Sequence, residues 1–320
     1  MIPTPELPHD AAFPGLAAIH QLGLARTVPA LGLRGRVDLL LRGYASGKRA
    51  TLEARCGDRS VAIKLCAGDI APEARLYQEL SARGLAPPPD SECVSAARVP
   101  RLLAWDRRLQ LLALGWLHGP TLNQLIKEGQ GERAGELASR WFRRAASLSV
   151  ILGPTYGPAS VLDRAPTWVG KLAETDAVLG DEAAKLLREL ARTLPPPGSP
   201  GLVHGTLYAR HIIDTGGGPG LIDWDGFGHG PLEFDAGVFL ATVWRIRLTE
   251  SGVERAVAHA EQAFLAGTAG RLDPRALAWY RAGALLNIAR RLETRAKRNW
   301  KARALALLLE AGRSAITVAA

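Results

Sequence analysis

Residues 202–225 read LVHGTLYARHIIDTGGGPGLIDWD and contain the clearest structural signal in the chain. Two short apolar runs flank the turn-forming residues 215–219, a pattern that predicts a β-hairpin. The second run leads to Asp223, whose carboxylate is placed where a strand ends. Mg²⁺ prefers such hard oxygen ligands, bound together with substrate phosphates. The segment therefore predicts a hairpin that presents a metal-binding aspartate.

A lysine closes an apolar, strand-like run nearer the N-terminus. Residues 61–64 read VAIK, and Lys64 needs an anionic partner if the strand is buried. Glu73, in the first turns of the next predicted helix, could supply that partner. Kinases use a strand lysine paired with a helix glutamate to hold the α- and β-phosphates of ATP, and VAIK matches the kinase strand motif. The alternative is an edge-strand lysine that points to solvent.

A glycine-containing loop joins the first two predicted strands. Residues 43–47 read GYASG, and small residues there let backbone N–H groups approach phosphate oxygens. The Ser46 hydroxyl is a further donor, next to Gly47. By itself the pattern also fits an ordinary hairpin loop, so the phosphate-binding interpretation depends on Lys64.

Composition indicates a globular protein. The chain has 320 residues, 47% hydrophobic and 22% charged, which argues against disorder. The N-terminal residues lack the basic and apolar regions of a secretory signal, and no apolar run is long enough to span a bilayer. Three cysteines (Cys56, Cys66 and Cys93) are too few and too scattered for a disulfide framework or a zinc site. We expect a cytoplasmic protein without a membrane partner.

The order of predicted elements indicates an α+β fold. Strands are expected over residues 37–41, 50–55 and 60–65, then a helix opened by Pro72, then strands near 101–105 and 110–116. Helices are expected over 122–128, 133–152 and 171–194, and from 231 onward. This predicts a bilobal plan, with a small β-rich lobe over residues 1–117 and a larger, mainly helical lobe over residues 118–320.

The net charge of +9 is concentrated near the C-terminus. Residues 275–320 contain 10 Lys or Arg and 2 Glu, including the run 290–298. A nucleic-acid patch is one interpretation. The other, which we favour, is the solvated face of an amphipathic helix with Leu285, Ile288, Leu292 and Ala296 facing inward, because neither an aromatic platform nor a zinc module accompanies the charge.

The chain resembles the aminoglycoside phosphotransferase and choline kinase-like family of small-molecule kinases, which has a protein-kinase-like fold. The matching strings are VAIK at 61–64, VPRLLAW at 99–105, GWLHGPTL at 115–122, HG at 204–205, and IDWD at 222–225 followed by FD at 234–235. The resemblance extends from about residue 37 to the C-terminal helices. It implies that ATP and Mg²⁺ bind between the two lobes.

The resemblance also implies roles for single residues. Lys64 would hold phosphate, Glu73 would orient Lys64, and Asp223 would bind the metal. Residues 114–117, which include Gly115 and Leu117, would meet adenine with their backbone. His204 would be a catalytic residue at the start of the catalytic loop, and Asp235 would brace that loop through hydrogen bonds near a helix start.

The catalytic loop departs from the family pattern of His-Gly-Asp followed by Asn. Thr206 stands at the position of the aspartate that accepts the proton of the attacking hydroxyl, a role that typically contributes about 10²–10⁴ in rate. His211 stands at the Asn position and replaces an oxygen ligand of the metal by imidazole, which suits Mg²⁺ poorly. Asp225 and His229 are candidates for a substitute base.

Two functions follow from this pattern. The first is a kinase with atypical or weak catalysis that transfers the γ-phosphate of ATP to a hydroxyl of a small molecule. The second is a nucleotide-binding pseudokinase that acts as a scaffold or regulator with a protein partner. Acidic residues in the predicted helical lobe are scattered (Asp163, Glu174, Asp176, Asp181 and Glu182), so a cationic antibiotic is not specifically indicated.

Overall fold

The computed structural model describes residues 7–86, 97–292 and 299–319. The chain divides into two compact units, residues 1–118 and 119–320. Some sequence predictions fall on residues outside the described ranges, namely Cys93, Ala296 and residues 87–90, 295 and 297–298.

The first unit is built on an antiparallel sheet of five strands. The spatial order is β1-β2-β3-β5-β4. The strands are β1 (Asp38–Ala45), β2 (Arg49–Cys56), β3 (Arg59–Cys66), β4 (Leu102–Asp106) and β5 (Leu111–Gly115). The helices of this unit are α1 (Pro14–Leu22), α2 (Leu24–Thr27) and α3 (Ala71–Ala82). All five predicted strands and the helix opened by Pro72 are present.

One face of this sheet is covered by the chain's N-terminal segment. Phe13 and Leu16 of that segment pack in one apolar cluster with Leu52 of β2 and Ile63 of β3. Gly15 permits this approach, because a Cβ there would meet the Leu109 carbonyl and the Leu65 side chain. The sequence analysis did not predict helix α1.

The loop between the first two strands is shorter than predicted. Gly43 and Tyr44 belong to β1 and pair with Thr51 and Ala50 of β2. The ladder shifts register between Leu41 and Gly43, and this irregularity lets the strand continue to Ala45. Only residues 46–48 remain as the turn.

The second unit is mainly helical. Its helices are α4 (Leu122–Lys127), α5 (Gly131–Ala145), α6 (Pro158–Leu162), α7 (Ala165–Thr175), α8 (Ala177–Arg192), α9 (Leu232–Arg245), α10 (Glu254–Gly267), α11 (Pro274–Leu292) and α12 (Trp300–Ala319). Short antiparallel pairs join β6 (Gly201–Val203) to β9 (Gly228–Gly230) and β7 (Ile212–Asp214) to β8 (Pro219–Leu221). With the sheet of the first unit, these elements confirm the α+β class.

Two predicted helices have wrong boundaries. The helix expected over 171–194 is two helices, because Asp176 has extended backbone (φ −160°, ψ 121°) and its carboxylate accepts the N–H of Leu179 to cap α8. Asp at an N-cap is a strong helix start signal. The helix expected over 133–152 ends at Ala145.

The hairpin expected around residues 215–219 is confirmed as β7 and β8. Its second strand ends at Leu221, two residues before Asp223. Asp223 has left-handed backbone, with φ of +67°. An aspartate tolerates that conformation better than a β-branched residue does. The carboxylate is therefore carried by a turn that follows the strand.

The C-terminal helices α11 and α12 pack in one apolar cluster with α7 and α8. Leu285 and Ile288 of α11 are buried as expected, and Arg291 is exposed. This pattern supports the amphipathic interpretation of the described part of the basic run. Throughout the described ranges, none of the helices combines the length and apolar character that crossing a membrane requires.

Candidate active site

Strand β3 and helix α3 bring Lys64 and Glu73 together inside the first unit. Lys64 lies opposite Thr51 of β2 and Leu112 of β5, so both edges of its strand are paired. Its Nζ donates to Glu73 Oε1 at 2.7 Å and to Oε2 at 2.8 Å. Lys64 is 5% exposed and Glu73 is 7% exposed. The alternative of an edge-strand lysine that points to solvent is therefore wrong.

A buried ion pair of this kind needs a reason beyond stability. Removing two charges from water costs several kcal/mol per ion, and well-packed apolar residues often serve a fold equally well. Here one carboxylate receives two hydrogen bonds from one ammonium, which fixes the Lys64 side chain in position. That this ammonium binds phosphate stays a prediction.

The β1–β2 turn contacts a carboxylate of the chain's own N-terminal segment. Asp10 Oδ2 accepts hydrogen bonds from the Gly47 N–H (2.8 Å), the Tyr44 hydroxyl (2.8 Å) and the Ser46 hydroxyl (3.3 Å). The pKa of Asp10 is lowered, first by the Gly47 N–H and then by the Ala12 N–H and the Tyr44 hydroxyl. The Gly47 N–H and the Ser46 hydroxyl, which the sequence predicts to bind phosphate, thus donate to the same carboxylate oxygen of Asp10.

The residues expected to meet adenine lie at the end of β5. Gly115 is the last residue of that strand, and its N–H donates to the Arg101 carbonyl. Leu117 is half-buried in the extended segment that follows. Their contact with a nucleotide stays a prediction.

In the second unit, a tight backbone crossing shapes the loop after β6. Gly205 has φ of +78°, and a Cβ at this position would collide with the Gly226 carbonyl. Only glycine fits such a position. The same carbonyl accepts a hydrogen bond from the Tyr156 hydroxyl at 2.6 Å. Thr206 is consequently held beside the segment that carries Asp223 and Asp225.

Asp235, in the first turn of α9, holds this loop in place through hydrogen bonds to its backbone. Its two carboxylate oxygens accept the N–H groups of His204 (2.6 Å) and Gly205 (3.0 Å). Burial raises the pKa of Asp235 to about 7, although the hydrogen bonds from the two N–H groups act to lower it. The expected bracing role is confirmed by these bonds.

We expect Asp235→Ala to lower the free energy of unfolding by about 2–4 kcal/mol, because two buried backbone N–H groups lose their acceptors. Chemical denaturation measures the change. Asp163→Ala is a matched control, since Asp163 is exposed and should tolerate the change within about 0.5 kcal/mol. Equal losses in the two variants would show that Asp235 does not support the loop.

His204 packs inside the loop and does not face solvent. It is 0% exposed, its Nε2 lies 2.9 Å from the Ile222 carbonyl, and its ring packs on Trp224 at 4.5 Å between centroids. These contacts fit a residue that supports the loop better than they fit the catalytic role predicted for His204 from the sequence. Thr206 is half-buried, with Oγ1 3.5 Å from His204 Nδ1.

His211 and Asp223 form a pair of facing ligand atoms. Nδ1 of His211 lies 2.8 Å from the Thr206 carbonyl, and since a carbonyl only accepts, this nitrogen must donate. Nε2 lies 3.2 Å from Asp223 Oδ2. Burial lowers the pKa of His211, against the effect of the neighbouring Asp223 carboxylate, which raises it. Nε2 of His211 and Oδ2 of Asp223 therefore face each other, and a cation could bind both.

The two candidates for a substitute base are placed differently. Asp225 is exposed. His229 belongs to β9, and its Nε2 lies 3.0 Å from the Thr155 hydroxyl. Asp225 is therefore open to solvent, and a role of either residue as a base stays a prediction.

A cavity that the sequence analysis missed lies beside Thr206. It has a volume of about 270 Å³ and is lined by residues of α6, α7, α9 and α11, including Trp168, Asn287 and Arg291. No local pattern marks these residues as neighbours, because helices distant in sequence supply them. None of the five acidic residues named in the sequence analysis lines the cavity within the described part of the chain. Asp176 and Glu182 instead pair with Lys301 and Lys185.

Comparison with known proteins agrees with this architecture. Residues 59–280 match the model of the phosphotransferase enzyme family. None of the curated proteins compared with the chain matches it in sequence.

Several solved structures share the fold. A choline/ethanolamine kinase family protein from Mesorhizobium loti has 15% identity and a TM-score of 0.60, covering 93% of this chain and 94% of its own. A putative aminoglycoside phosphotransferase from Ralstonia eutropha has 15% identity and a TM-score of 0.61, with 95% and 98% covered. A thermostable mutant of an aminoglycoside phosphotransferase, in a ternary complex with ADP and hygromycin B, has 15% identity and a TM-score of 0.61, with 90% and 96% covered. The predicted kinase-like fold is confirmed.

Proposed function

Because the chain belongs to the phosphotransferase enzyme family, we propose that it binds ATP with a divalent cation and phosphorylates a hydroxyl group of a small molecule. The acceptor oxygen forms a bond to the γ-phosphorus while the bond from that phosphorus to the β-phosphate oxygen breaks, which releases ADP. The hydroxyl proton leaves to a base or to water. The buried pair of Lys64 and Glu73 is the observation that carries this proposal.

Each nucleotide-holding residue has a physical role in the proposal. The Lys64 ammonium, fixed by Glu73, neutralises charge on the α- and β-phosphates. The Gly47 N–H and the Ser46 hydroxyl donate to phosphate oxygens in place of Asp10. Gly115 and Leu117 meet adenine with their backbone. The ADP complex of a structural relative is in keeping with nucleotide binding.

The cation would be held by Asp223 and His211. Their facing oxygen and nitrogen atoms, 3.2 Å apart, suit a shared divalent ion. A carboxylate with an imidazole suits Mn²⁺ or Zn²⁺ better than Mg²⁺, which prefers oxygen ligands. When bound, the ion would neutralise phosphate charge that develops during transfer. The described residues contain no group of three or more His, Cys, Asp or Glu side chains able to bind a metal, so phosphate oxygens and water would complete the coordination.

Catalysis is proposed to be weak because Thr206 is not a base. Phosphoryl transfer depends mainly on positioning and charge stabilisation, so turnover survives without an aspartate at this position. Asp225, which is exposed on the same segment as Asp223, is the proposed proton acceptor.

The residues at two positions of the catalytic loop favour a second candidate function. With Thr206 and His211 at the positions of a base and an oxygen ligand, the chain could hold nucleotide without turning it over. It would then act as a pseudokinase that regulates or assembles a protein partner. Binding of ATP with no ADP formed over hours would favour this alternative.

Nucleotide binding is tested by the melting temperature. At 100 times the dissociation constant, ATP with Mn²⁺ should stabilise the protein by about 2.7 kcal/mol, or roughly 5–10 °C. Asp223→Ala should lose the metal-dependent part of this shift, and His211→Asn should transfer the preference from Mn²⁺ to Mg²⁺. Asp181→Ala, which removes an exposed carboxylate elsewhere, should keep the full shift. No shift with either metal in the unsubstituted protein would refute the proposal.

A further inference from the structure

The cavity beside Thr206 carries information about the acceptor. It lies wholly within the second unit, and Gly205, Thr206 and Gly226 form part of its wall. An acceptor hydroxyl bound there would lie next to the loop in which Thr206 stands at the position of the family's catalytic base. That the ligand of this cavity is the phosphate acceptor depends on the proposed function. The existence of the binding site does not depend on it.

Positive charge lines this cavity. Arg164 and Arg291 belong to its wall, and no Asp or Glu of the described chain does. Arg164 is exposed, its guanidinium lies 6.0 Å from the centroid of the Tyr156 ring, and no described carboxylate lies within ion-pair distance of it. Arg291 donates to the Tyr208 hydroxyl at 2.6 Å, which orients the guanidinium along the wall.

Further arginines surround the same wall. Arg290 lies over the Trp168 ring at 5.7 Å, and its pKa is lowered by burial and by the neighbouring charge of Arg291. A smaller cavity of about 50 Å³ adjoins the first, shares Tyr208 and Arg291 with it, and adds Arg210 and Arg245. Arginine is the side chain best suited to bind carboxylate or phosphate through two parallel hydrogen bonds.

The remaining wall is apolar and aromatic. Trp168, Phe234 and Tyr280 provide flat surfaces, and Asn287 adds one polar group. A volume of about 270 Å³ accommodates a small molecule and is at the low end for ligand sites. A polycationic or quaternary ammonium acceptor would need carboxylates in this wall, but it would meet arginine side chains instead.

We propose that this cavity binds an anionic small molecule. Its carboxylate or phosphate is held by Arg164 and Arg291, and its apolar or aromatic body packs on Trp168. A hydroxyl on the same molecule points toward Thr206. The substrate class is therefore a hydroxylated acid, in contrast to the cationic hygromycin B bound by the structural relative.

Matched probes of opposite charge test the proposal. Isothermal titration without nucleotide compares 4-hydroxyphenylacetate with tyramine, which share a ring and a hydroxyl but differ in charge. A third arm uses phenyl phosphate, so that carboxylate and phosphate are distinguished. We expect at least one anion to bind and tyramine to bind at least 10-fold more weakly. Tyramine binding as tightly as both anions, or no anion binding at millimolar concentration, would overturn the proposal.

Substitutions identify the residues responsible. Arg164→Gln and Arg291→Gln should each weaken binding of the preferred anion by about 10-fold or more, since a charge-assisted hydrogen bond is lost. Arg164→Lys, which keeps the charge, should weaken it less than Arg164→Gln. Arg188→Gln removes an equally exposed arginine of α8 outside the cavity and should leave binding unchanged. If Arg188→Gln weakens binding as much as Arg164→Gln, the anion is held by net charge alone and the assigned site is wrong.

These measurements are independent of ATP. An anion that binds in the cavity while ATP fails to raise the melting temperature would leave the inference standing and remove the proposed function. The reverse result would remove the inference alone.

Discussion

We expect Lys64→Met to abolish the ATP-dependent rise in melting temperature and to lower the free energy of unfolding by about 3–5 kcal/mol. The loss of stability follows because the carboxyl group of Glu73, which is 7% exposed, loses the ammonium that donates to both of its oxygens and stays buried without that partner. The loss of binding follows because the phosphates lose their only proposed lysine contact. Chemical denaturation and thermal shift with ATP measure the two effects.

Lys127→Met is a matched control for the lost charge. Lys127 also forms an ion pair, with Glu250 at 2.6 Å, but the two side chains are 38% and 37% exposed. Exposed ion pairs contribute about 0–1 kcal/mol, because solvent screens both charges. This variant should therefore keep ATP binding and nearly all of its stability.

A double variant separates stability from function. Lys64→Met combined with Glu73→Leu removes both buried charges, so it should recover much of the stability that Lys64→Met loses. It should not recover the response to ATP. If the double variant is still stabilised by ATP, Lys64 does not hold phosphate and the ion pair is structural.

Sequence reasoning was most successful where one local signal was enough. The VAIK run is a short apolar segment with two β-branched residues, as is typical of a strand, and Glu73 follows at the start of a helix. Both positions are fixed by elements adjacent in sequence, so the pairing of Lys64 with Glu73 could be predicted. The hairpin before Asp223 was predicted for the same reason, since its turn residues lie between its strands.

Features that depend on distant residues were not predicted. The Asp10 carboxylate lies 37 residues from the Gly47 N–H that it accepts, and the N-terminal segment has no pattern that points to the turn. Arg164, which immediately precedes α7, and Arg291 of α11 line one cavity although they are far apart in the chain. The break at Asp176 was missed for a different reason, because its capping preference was overlooked within an otherwise helical pattern.

We expect Thr206→Asp to raise the rate of ADP formation by about 10²–10⁴, the usual contribution of a general base. Thr206 is half-buried and lines the cavity in which the acceptor is proposed to bind. Asp235 already holds the loop around Thr206 through hydrogen bonds from two backbone N–H groups. A carboxylate introduced at position 206 would therefore be attached to a backbone that is fixed in place. Aspartate is one heavy atom larger than threonine and branches at Cγ instead of Cβ, and its carboxylate can accept the hydroxyl proton.

Thr206→Asn is the control that separates basicity from shape, because asparagine has nearly the same size as aspartate but cannot accept the proton at neutral pH. Its rate should stay at the level of the unsubstituted protein. An equal gain in Thr206→Asp and Thr206→Asn would assign the effect to packing near Gly226, where an added Cβ would lie 3.3 Å from the Thr206 methyl group. Intact ATP binding with no gain in Thr206→Asp would show that a missing base does not limit turnover, and would favour the regulatory function over the kinase.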